Sequence, residues 1–494
     1  MKNKINNKIA AVGLSILMSV GLLSCEDYLD KAPKGELTSE NFFKDATQAT
    51  QAVNAIYSHL RNFNVHVFSY IGITDIASDD AVKGSVPGDA GFLQDINDFT
   101  FDANNTAVNG IWSGYFQGVF RANQVIANVP EIDMDEELKT RLIGEARFLR
   151  AYFYFFLVRT YGDLPLIDRP LNPDEYKQPR VSKELIYEFI EEDFSFAAAN
   201  LPEKSEYPAS ELGRATSGAA KSFLAKVHLF QNEYQETLDM AQEVIASGQY
   251  ELYPDYEEIF RKEGEHSSES IFEVSTVALE AGGGGSQFNE VQGIRGNPNN
   301  GWGFNGPSDD LMTAFEENDP RLVATIINEG DTLPSGEVVM PDPNMGDNAR
   351  FSRKAWLPER PPSGFGNSGA NIRLFRYADL LLIAAEAANE LGNPTLALEY
   401  LNMVRERARQ GDESILLDVS TTDKAELRTA IYQERRVELA MEQHRYFDLV
   451  RQGRAQAVFA ELGITWTPGK HEVYPVPQSE IDISGGSISQ NPGY

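Results

Sequence analysis

Neighbouring carboxylates are the residues of this chain best suited, by type and spacing, to acid–base chemistry. They recur at 79–80, 191–192, 257–258, 309–310 and 316–317. Hydrolysis of a glycosidic bond uses two carboxyl groups on opposite sides of the bond, one of them with a raised pKa. In a chain with 74 acidic residues, adjacent pairs arise by chance and most of them are solvated. We therefore predict no catalytic residue and expect that the protein is not an enzyme.

Histidine, cysteine and glycine patterns indicate neither a metal centre nor a cofactor. The six histidines form no His-x-x-Glu-His motif, and no Cys/His set occurs. The sequence also lacks a Gly-x-Ser-x-Gly elbow, a Walker loop and a dinucleotide fingerprint. Asp342, Asn344 and Asp347 could hold calcium, but their spacing misses the EF-hand register. The glycines at 282–285 lack the lysine and helix of a phosphate loop and predict a flexible tip.

Aromatic residues in polar, glycine-rich loops are the clearest indication of ligand binding. Sugars are recognised by rings that stack on their apolar faces and by polar groups that bond their hydroxyls. A ring in such a loop has no obvious core to fill. The candidate ligand-binding residues are three loop aromatics and three charged residues: Trp302, Phe304, Trp356, Asp79, Asp80 and Arg350. For each of them, local packing is the alternative interpretation.

The sole cysteine, Cys25, follows a segment typical of export. Three lysines precede an apolar run over 9–23, which is too short to cross a bilayer well. Leu-Leu-Ser before Cys25 resembles a bacterial lipobox, where the chain is cut before the cysteine and the thiol is acylated. We predict a lipoprotein signal peptide over 1–24, lipid attachment at Cys25 and an acylated tether over 25–37. An ordinary secretory signal with a chance cysteine is the alternative.

The net charge of −31 at pH 7 limits the partners of the chain. Removal of the leader, with its three lysines, makes the charge more negative still. Such a surface repels nucleic acid phosphates and anionic lipid head groups. We therefore expect no nucleic acid partner, and we expect membrane attachment to depend on the acyl chains. No later segment is apolar enough to cross a membrane, and a single cysteine permits no internal disulfide.

Helical periodicity dominates the elements that would position these residues. Apolar residues recur at helical spacing in three single segments and three helix–turn–helix pairs: 38–60, 112–129, 135–160, 217–247, 378–409 and 424–451. The pairs resemble tetratricopeptide repeats, where a small residue of the second helix allows close packing. Ala397 takes that position in one pair, and Thr237 takes it in a degenerate one. The predicted fold is mostly α, with tetratricopeptide-like helical pairs and a loop-rich, minor-β insertion region.

Residues 255–370 differ from the helical parts on either side. They are rich in Gly, Asn and Pro and contain short strand-like runs such as 271–274. Long irregular loops in compact proteins are usually functional or disordered. We predict an N-terminal helical part over 38–254, a variable loop-rich ligand region over 255–370 and a C-terminal helical part over 371–494.

Six motifs, in order along the chain, resemble the SusD/RagB family of outer-membrane lipoproteins. They are Cys-Glu-Asp-Tyr-Leu-Asp at 25–30, the helix with Trp112 and Tyr115, Glu-Ala-Arg-Phe-Leu-Arg-Ala-Tyr at 145–152, Arg-Tyr-Ala-Asp-Leu-Leu-Leu at 376–382, Glu-Arg-Arg-Val-Glu-Leu at 434–439 and Asn-Pro-Gly-Tyr at 491–494. The charged residues over 434–451 are also spaced at i, i+3 and i+4 on helices. We interpret these charged residues as structural, because their side chains can form ion pairs and can bond carbonyls at helix ends.

The resemblance implies a nutrient-binding lipoprotein that is anchored in the outer membrane and faces the exterior. Such a protein would capture an oligo- or polysaccharide without covalent chemistry and deliver it to a SusC-like TonB-dependent transporter. Two alternatives stay open: a lid for the uptake of a peptide or another nutrient, and a surface glycoside hydrolase. The sequence does not name the glycan, although its negative charge slightly favours neutral sugars.

Overall fold

Helices joined by short turns form most of the protein in the computed structural model, which describes residues 42–346, 348–358 and 365–494. They are α1 (Ala46–His59), α2 (Phe63–His66), α3 (Phe68–Ile71), α4 (Gly91–Asn97), α5 (Thr106–Asn128), α6 (Glu136–Tyr161), α7 (Lys183–Asn200), α8 (Ser217–Gln231), α9 (Tyr234–Ala246), α10 (Phe288–Gln292), α11 (Asp309–Ala314), α12 (Pro320–Thr325), α13 (Tyr377–Glu390), α14 (Pro394–Ala408), α15 (Lys424–Glu438), α16 (Arg445–Arg451), α17 (Ala455–Glu461) and α18 (Gln478–Ser484). The mostly α fold is confirmed.

The predicted helix–turn–helix pairs are present as α8 with α9, α13 with α14, and α15 followed by α16. The long helices pack in succession, from α5 through α6, α7, α8 and α9 to α13. In α9 the buried Thr237 hydroxyl donates to the Glu233 carbonyl at 2.7 Å. This bond satisfies the hydroxyl within its own helix, so threonine can stand where Ala397 stands in α14.

The stretch between the predicted helical segments 38–60 and 112–129 is itself partly helical. It contains a π-helical turn (Gly72–Ile76) and α4, and α5 already begins at Thr106. Asn105 caps α5, because its side-chain oxygen accepts hydrogen bonds from the backbone N–H groups of Ala107 and Val108. The cap explains why α5 starts several residues before its aromatic run.

Short strands tie the loop-rich segment to the helices. They are β1 (Ala81–Gly84), β2 (Leu164–Pro165), β3 (Arg180–Val181), β4 (Ser270–Val274), β5 (Gly296–Asn297), β6 (Phe304–Pro307), β7 (Ile326–Ile327), β8 (Met340–Pro341), β9 (Phe351–Ser352) and β10 (Ile372–Arg376). The antiparallel pairs are β1 with β6, β2 with β3, β4 with β10, β5 with β8, and β7 with β9. The strand predicted at 271–274 is confirmed as β4. Within the loop-rich segment, β6 pairs with β1, which precedes the segment, and β4 pairs with β10, which follows it.

A buried network of arginines and carboxylates joins this segment to the C-terminal helices. Glu438 accepts hydrogen bonds from Arg321 and Arg376, each at 3.1 Å, and it is also paired with Arg407. Burial alone would raise the pKa of Glu438, but the charges of these arginines hold it well below its usual range. The structural interpretation of the charged motifs is confirmed. Most partners lie on other elements, not at the i+3 and i+4 positions that the helical spacing indicated.

Residues 45–494 form one compact unit, and the unit of residues 1–44 is described only at 42–44. The predicted signal peptide, tether and lipid attachment at Cys25 lie outside the described residues. Among the residues that are described, no helix combines the length and apolarity needed to cross a bilayer.

Candidate functional site

An aromatic surface surrounds Phe68 at the edge of the loop-rich segment. The ring of Trp302 meets Phe68 edge-on, with the centroids 5.9 Å apart and the planes at 89°. The centroids of Phe63 and Phe92 lie 5.4 and 5.7 Å from that of Phe68. Phe63, Phe68, Phe92 and Trp302 are all half-buried, so the four rings share one partly exposed apolar surface. We call these four residues the aromatic surface.

Two one-turn helices present Phe63 and Phe68, and Phe92 lies in the first turn of α4. Asn62 caps α2, since its side-chain oxygen accepts a hydrogen bond from the Asn64 N–H at 2.9 Å. Val67 then separates α2 from α3 with φ −126° and ψ −102°, outside the helical region. Because of this break, Phe63 and Phe68 do not follow the spacing of a continuous helix, and their rings come within contact of each other.

Backbone bonds fix the loop that carries Trp302. Its N–H donates to the Glu290 carbonyl at 2.9 Å, and the Gly301 N–H donates to the Ile294 carbonyl at 2.6 Å. A Cβ on Gly301 would lie 2.6 Å from the Gly293 backbone, so only glycine allows this approach. The loop therefore has a defined conformation, and it positions the Trp302 ring against α2 and α3.

Arg295 joins three loops at the margin of the aromatic surface. Its guanidinium donates to the Asp89 carboxylate at 2.7 Å and to the Ser85 hydroxyl at 2.9 Å. It also lies 3.3 Å from the Asp342 carboxylate. Arg295, Asp89 and Asp342 are all partly exposed, so their remaining lone pairs and N–H groups can reach a bound molecule. The site thus combines partly exposed rings with an arginine that is paired with two carboxylates.

The other predicted aromatic residues are buried. Phe304 in β6 is 4% exposed and packs edge-on against Phe68 at 4.8 Å, beneath the aromatic surface. Trp356 is 3% exposed and belongs to a separate apolar cluster with Phe351. The guanidinium of Arg261 lies 5.3 Å from the centre of the Trp356 ring. Neither ring offers a face to a ligand, so we leave both out of the site.

The adjacent carboxylates Asp79 and Asp80 are buried in ion pairs. Both Asp79 oxygens accept hydrogen bonds from Arg445 at 2.7 Å, and Asp80 accepts one from Arg436 at 2.8 Å. Burial favours a higher pKa for Asp79, but the Arg445 hydrogen bonds and charge lower its pKa overall. Burial raises the pKa of Asp80 despite Arg436. These contacts link the segment before β1 to the C-terminal helices, which is a structural role.

Arg350 is engaged in an ion pair with another element of the fold. Its guanidinium pairs with the Asp309 carboxylate at 2.5 Å, at the start of α11. Of the six predicted residues, the structure brings Phe304 and Trp302 against Phe68, and of the three predicted aromatic residues Trp302 alone keeps a partly exposed ring. Sequence reasoning missed Phe63, Phe68, Phe92 and Arg295. For Phe63 alone a local signal was available, because it directly follows Asn62, a residue type that caps helices.

A histidine and two glutamates form a group that the histidine spacing did not indicate. Within the described residues, the ligand atoms of Glu191, His228 and Glu233 lie within 4.8 Å of one another, close enough to hold a metal ion. His228 Nδ1 and a Glu233 carboxylate oxygen are 2.7 Å apart, which is a hydrogen bond. Gln231 donates to Glu191 at 2.6 Å. Protein hydrogen bonds thus account for the group without a metal.

Comparison with known families and structures relates the chain to glycan-binding proteins of the cell surface. Residues 268–494 match the SusD family, and residues 27–229 match a family described as starch-binding and associating with the outer membrane. A SusD-like protein P2 from Formosa agariphila is 30% identical, with 97% of this chain and 98% of that protein aligned. The chain therefore belongs to the SusD family. The matched descriptions are of binding proteins, in agreement with the expectation that it is not an enzyme.

Two solved structures extend this similarity to the fold. A laminarin-binding SusD-like protein is 31% identical and superposes with a TM-score of 0.79, over 91% of this chain and all of that chain. Surface glycan-binding protein A from Bacteroides fluxus is 27% identical, with a TM-score of 0.78 over 91% of this chain and 100% of that chain. The sequence resemblance to the SusD/RagB family is thereby confirmed.

Proposed function

We propose that the chain is a surface glycan-binding lipoprotein whose ligand lies on the aromatic surface. The observation that carries this proposal is the set of four half-buried rings, Phe63, Phe68, Phe92 and Trp302, around one exposed area. Aromatic rings in a monomeric protein are usually covered, so such a group marks an interaction site. The C–H faces of a sugar ring are apolar and match it, while its hydroxyls need polar partners at the margin.

The polar margin favours a neutral glycan. Arg295 lies beside both Asp89 and Asp342, so two carboxylates outweigh its single positive charge and these groups do not attract an anionic ligand. The overall charge of −31 would also repel an acidic polymer. One relative of known structure is named for binding laminarin, a neutral glucan. A neutral polysaccharide of this kind is the ligand class that we propose.

Attachment and delivery complete the proposal. Acylation at Cys25 would hold the protein in the outer membrane, facing the exterior, and a SusC-like TonB-dependent channel would receive the glycan. The matching family described as associating with the outer membrane supports this location. Uptake of a peptide is the alternative. A surface glycoside hydrolase has less support. Asp79 and Asp80 are held in ion pairs with arginines, so they are not placed to act as the two carboxyl groups that flank a glycosidic bond.

Affinity electrophoresis tests the proposal. The mature chain is run in gels that contain laminarin, starch, xylan or alginate, beside Trp302→Ala and the control Phe120→Ala. Phe120 is 56% exposed on α5 and is not part of the aromatic surface. We expect a neutral polysaccharide to retard the wild type and Phe120→Ala equally. Trp302→Ala should migrate without this retardation. Absence of retardation in all four gels would favour the peptide alternative, and release of reducing ends would favour the hydrolase.

A further inference from the structure

Asp75 lies in the π-helical turn that directly follows α3, and it is 1% exposed. Its carboxylate accepts hydrogen bonds from the Gln443 backbone N–H at 3.0 Å, from the Gln443 side-chain amide at 2.7 Å and from the Asn305 amide at 2.9 Å. These donors are neutral, unlike the arginines that pair with Asp79 and Asp80. Neutral amides therefore stabilise a negative charge inside the fold.

The Asn305 amide joins the two sides of the aromatic surface. Its Nδ2 donates to the Asp75 carboxylate and, also at 2.9 Å, to the side-chain carbonyl of Gln292, the last residue of α10. All three side chains are buried. Asp75 belongs to the turn after α3, which carries Phe68, and α10 accepts the hydrogen bond from the Trp302 N–H. One amide thus connects the segment of Phe68 to the helix that anchors Trp302.

The charge of Asp75 decides how firmly this amide is held. Gln292 donates through its own Nε2 to the Phe288 carbonyl at 3.1 Å, so its carbonyl end faces Asn305. The Asn305 amide must therefore donate on both sides. A carboxylate accepts such bonds with both oxygens, and bonds to a charged acceptor are about twice as strong as neutral ones. A protonated carboxyl carries an O–H in place of one acceptor, so protonation of Asp75 weakens its bond to Asn305.

The environment of Asp75 brings this change into the range of mild acid. Burial raises the pKa of Asp75 to about 6. The hydrogen bonds from Asn305 and Gln443 act against burial, and the charge of Asp80 adds to it. Hydrogen bonds that lower the pKa of a carboxyl are, by linkage, stronger when it is ionised. The bond between Asp75 and Asn305 should therefore loosen as the pH falls from about 7.5 to about 5.

Other titratable or charged groups lie on the elements that pack against this turn. They are Tyr70 of α3, Asp95 of α4, Tyr115 and Arg121 of α5, Lys83 of β1, Arg445, Tyr446, Asp448 and Arg451 of α16, and Asp79, Asp80, Glu442, His444 and Tyr474 in the adjoining segments. Burial acts to raise the pKa of Asp79, Asp448 and Glu442, but arginines hold all three below their usual range. Burial lowers the pKa of His444 to about 3. Burial raises the pKa of Asp80, so Asp80 is the competing origin of a pH dependence.

We infer that Asp75 is a positioning residue of the glycan site. Its ionised carboxylate holds the Asn305 amide, so Phe68 and Trp302 form a more firmly set surface in neutral solution than in mild acid. Glycan affinity should then fall as the pH is lowered. A neutral polysaccharide has no group that titrates in this range, so the dependence would arise in the protein. This inference rests on the proposed glycan-binding function.

The contribution of Asp75 to stability should change in the opposite direction. Because its folded-state pKa lies above the ordinary value of 3.8, Asp75 adds stability that is complete below about pH 3.8 and is lost as the pH rises through about 6. Its contribution to the free energy of unfolding therefore increases as the pH falls from about 7.5 to about 5, while glycan affinity should decrease. Weakening of the fold at Asp75 would not produce this combination.

Isothermal titration at about pH 7.5, 6 and 5 tests the inference, with urea unfolding of each protein at the same pH values. The ligand is the polysaccharide that the wild type retains most strongly among laminarin, starch and xylan. The variants are Asp75→Asn, which keeps the shape and removes the charge, and Asn305→Asp, which removes the bridging N–H groups. The matched control is Glu273→Gln, which replaces a buried carboxylate of β4 by an amide outside this network.

We expect the affinity of the wild type and of Glu273→Gln to fall about fivefold over this range, as it would if binding lowers the pKa of Asp75 from about 6 to about 5. Asp75→Asn has no charge to lose and should bind equally at the three pH values. In Asn305→Asp, two carboxyl groups face each other and share a proton in acid, so its affinity should rise as the pH falls.

A flat wild-type profile, or a slope that persists in Asp75→Asn, would overturn the role of Asp75 while the proposed function stands. If Asp75→Asn does not fold, the opposite slopes of the wild type and Asn305→Asp decide, and parallel slopes would overturn the inference. If the wild type binds none of the three polysaccharides, the proposed function fails and the inference fails with it.

Discussion

The Arg295 guanidinium donates to the Asp89 carboxylate at 2.7 Å, and this pair joins the loop before α4 to the loop that carries Trp302. The two residues are partly exposed, so the pair itself adds little to global stability. Its effect is local, because Phe92 follows Asp89 by three residues in α4 and Trp302 lies on the same loop as Arg295. The geometry of the aromatic surface therefore depends on a contact that contains no aromatic residue.

Replacement of Arg295 should reduce ligand binding more than stability. In Arg295→Ala, Asp89 and Asp342 lose their common partner and the loops separate by mutual repulsion. We expect glycan affinity to fall by about tenfold, or about 1.4 kcal/mol, in titration calorimetry. Arg169→Ala removes a similarly exposed pair and should not change affinity. Equal affinities in the two variants would show that Arg295 does not organise the site.

Removal of the Trp302 side chain should weaken glycan retention by about 1–3 kcal/mol, because one ring of the stacking surface is lost. The far-ultraviolet circular dichroism of Trp302→Ala should match that of the wild type, since the ring is half-buried and surface changes of this kind rarely unfold a domain. Phe120→Ala serves as the control for loss of an exposed ring. Unchanged retention together with a normal spectrum would remove Trp302 from the site.

Replacement of Arg445 tests whether Asp79 has a structural role or a ligand-binding role. Arg445→Ala leaves the buried Asp79 carboxylate without its bidentate partner, although Arg436 remains 3.0 Å away. Loss of one partner of a buried pair costs about 3–5 kcal/mol, so urea unfolding should shift strongly. Any variant protein that stays folded should bind glycan normally. A selective loss of binding at full stability would restore Asp79 to the list of ligand residues.

The free energy of unfolding should decrease in acid, because carboxylates that are buried in ion pairs become protonated. Burial acts to raise the pKa of Glu273, but Arg373 and hydrogen bonds from His266 and Ser270 lower it to about 2 from 4.5. A depressed folded-state pKa adds stability that is complete above about pH 4.5 and is lost as the pH falls toward 2. The free energy of unfolding in urea should decline over this window. In Glu273→Gln the decline should be smaller, and identical slopes would contradict the assignment.

Replacement of Cys25 should abolish lipid attachment and leave ligand binding unchanged. A Cys25→Ala chain lacks the thiol that acylation requires, so it should leave the membrane fraction on cell fractionation. Its retention in polysaccharide gels should equal that of the wild type, because the aromatic surface lies in residues 63–302. If Cys25→Ala remained in the outer membrane, an acyl anchor at this residue would be excluded.

The helical frame was predictable because its signals are local. The periodicity of α8, α9, α13 and α14 and the caps at their ends appear within short stretches of sequence. Trp302 was predictable for the same reason, since a tryptophan among glycines and asparagines is conspicuous. The predicted division of 255–370 from its neighbours stays a prediction.

The rest of the site depends on contacts between distant residues. Trp356 lies in a loop of similar composition to that of Trp302, yet it is buried against Phe351, and composition does not show which loop is covered. Asp79 meets Arg445, which lies 366 positions further along the chain. Phe63 and Phe68 lie beyond the helical segment predicted at 38–60, and the break at Val67 brings their rings together.

The aromatic surface has a thermodynamic consequence. Phe68 and Trp302 belong to distant parts of the chain, and their rings meet only in the folded state. A ligand that bridges them binds the native chain alone and so opposes unfolding by mass action, by about 2.7 kcal/mol at one hundred times its dissociation constant. The correct glycan should therefore raise the melting temperature and slow proteolysis. The fold itself can report its ligand in a thermal-shift screen, with no knowledge of the site required.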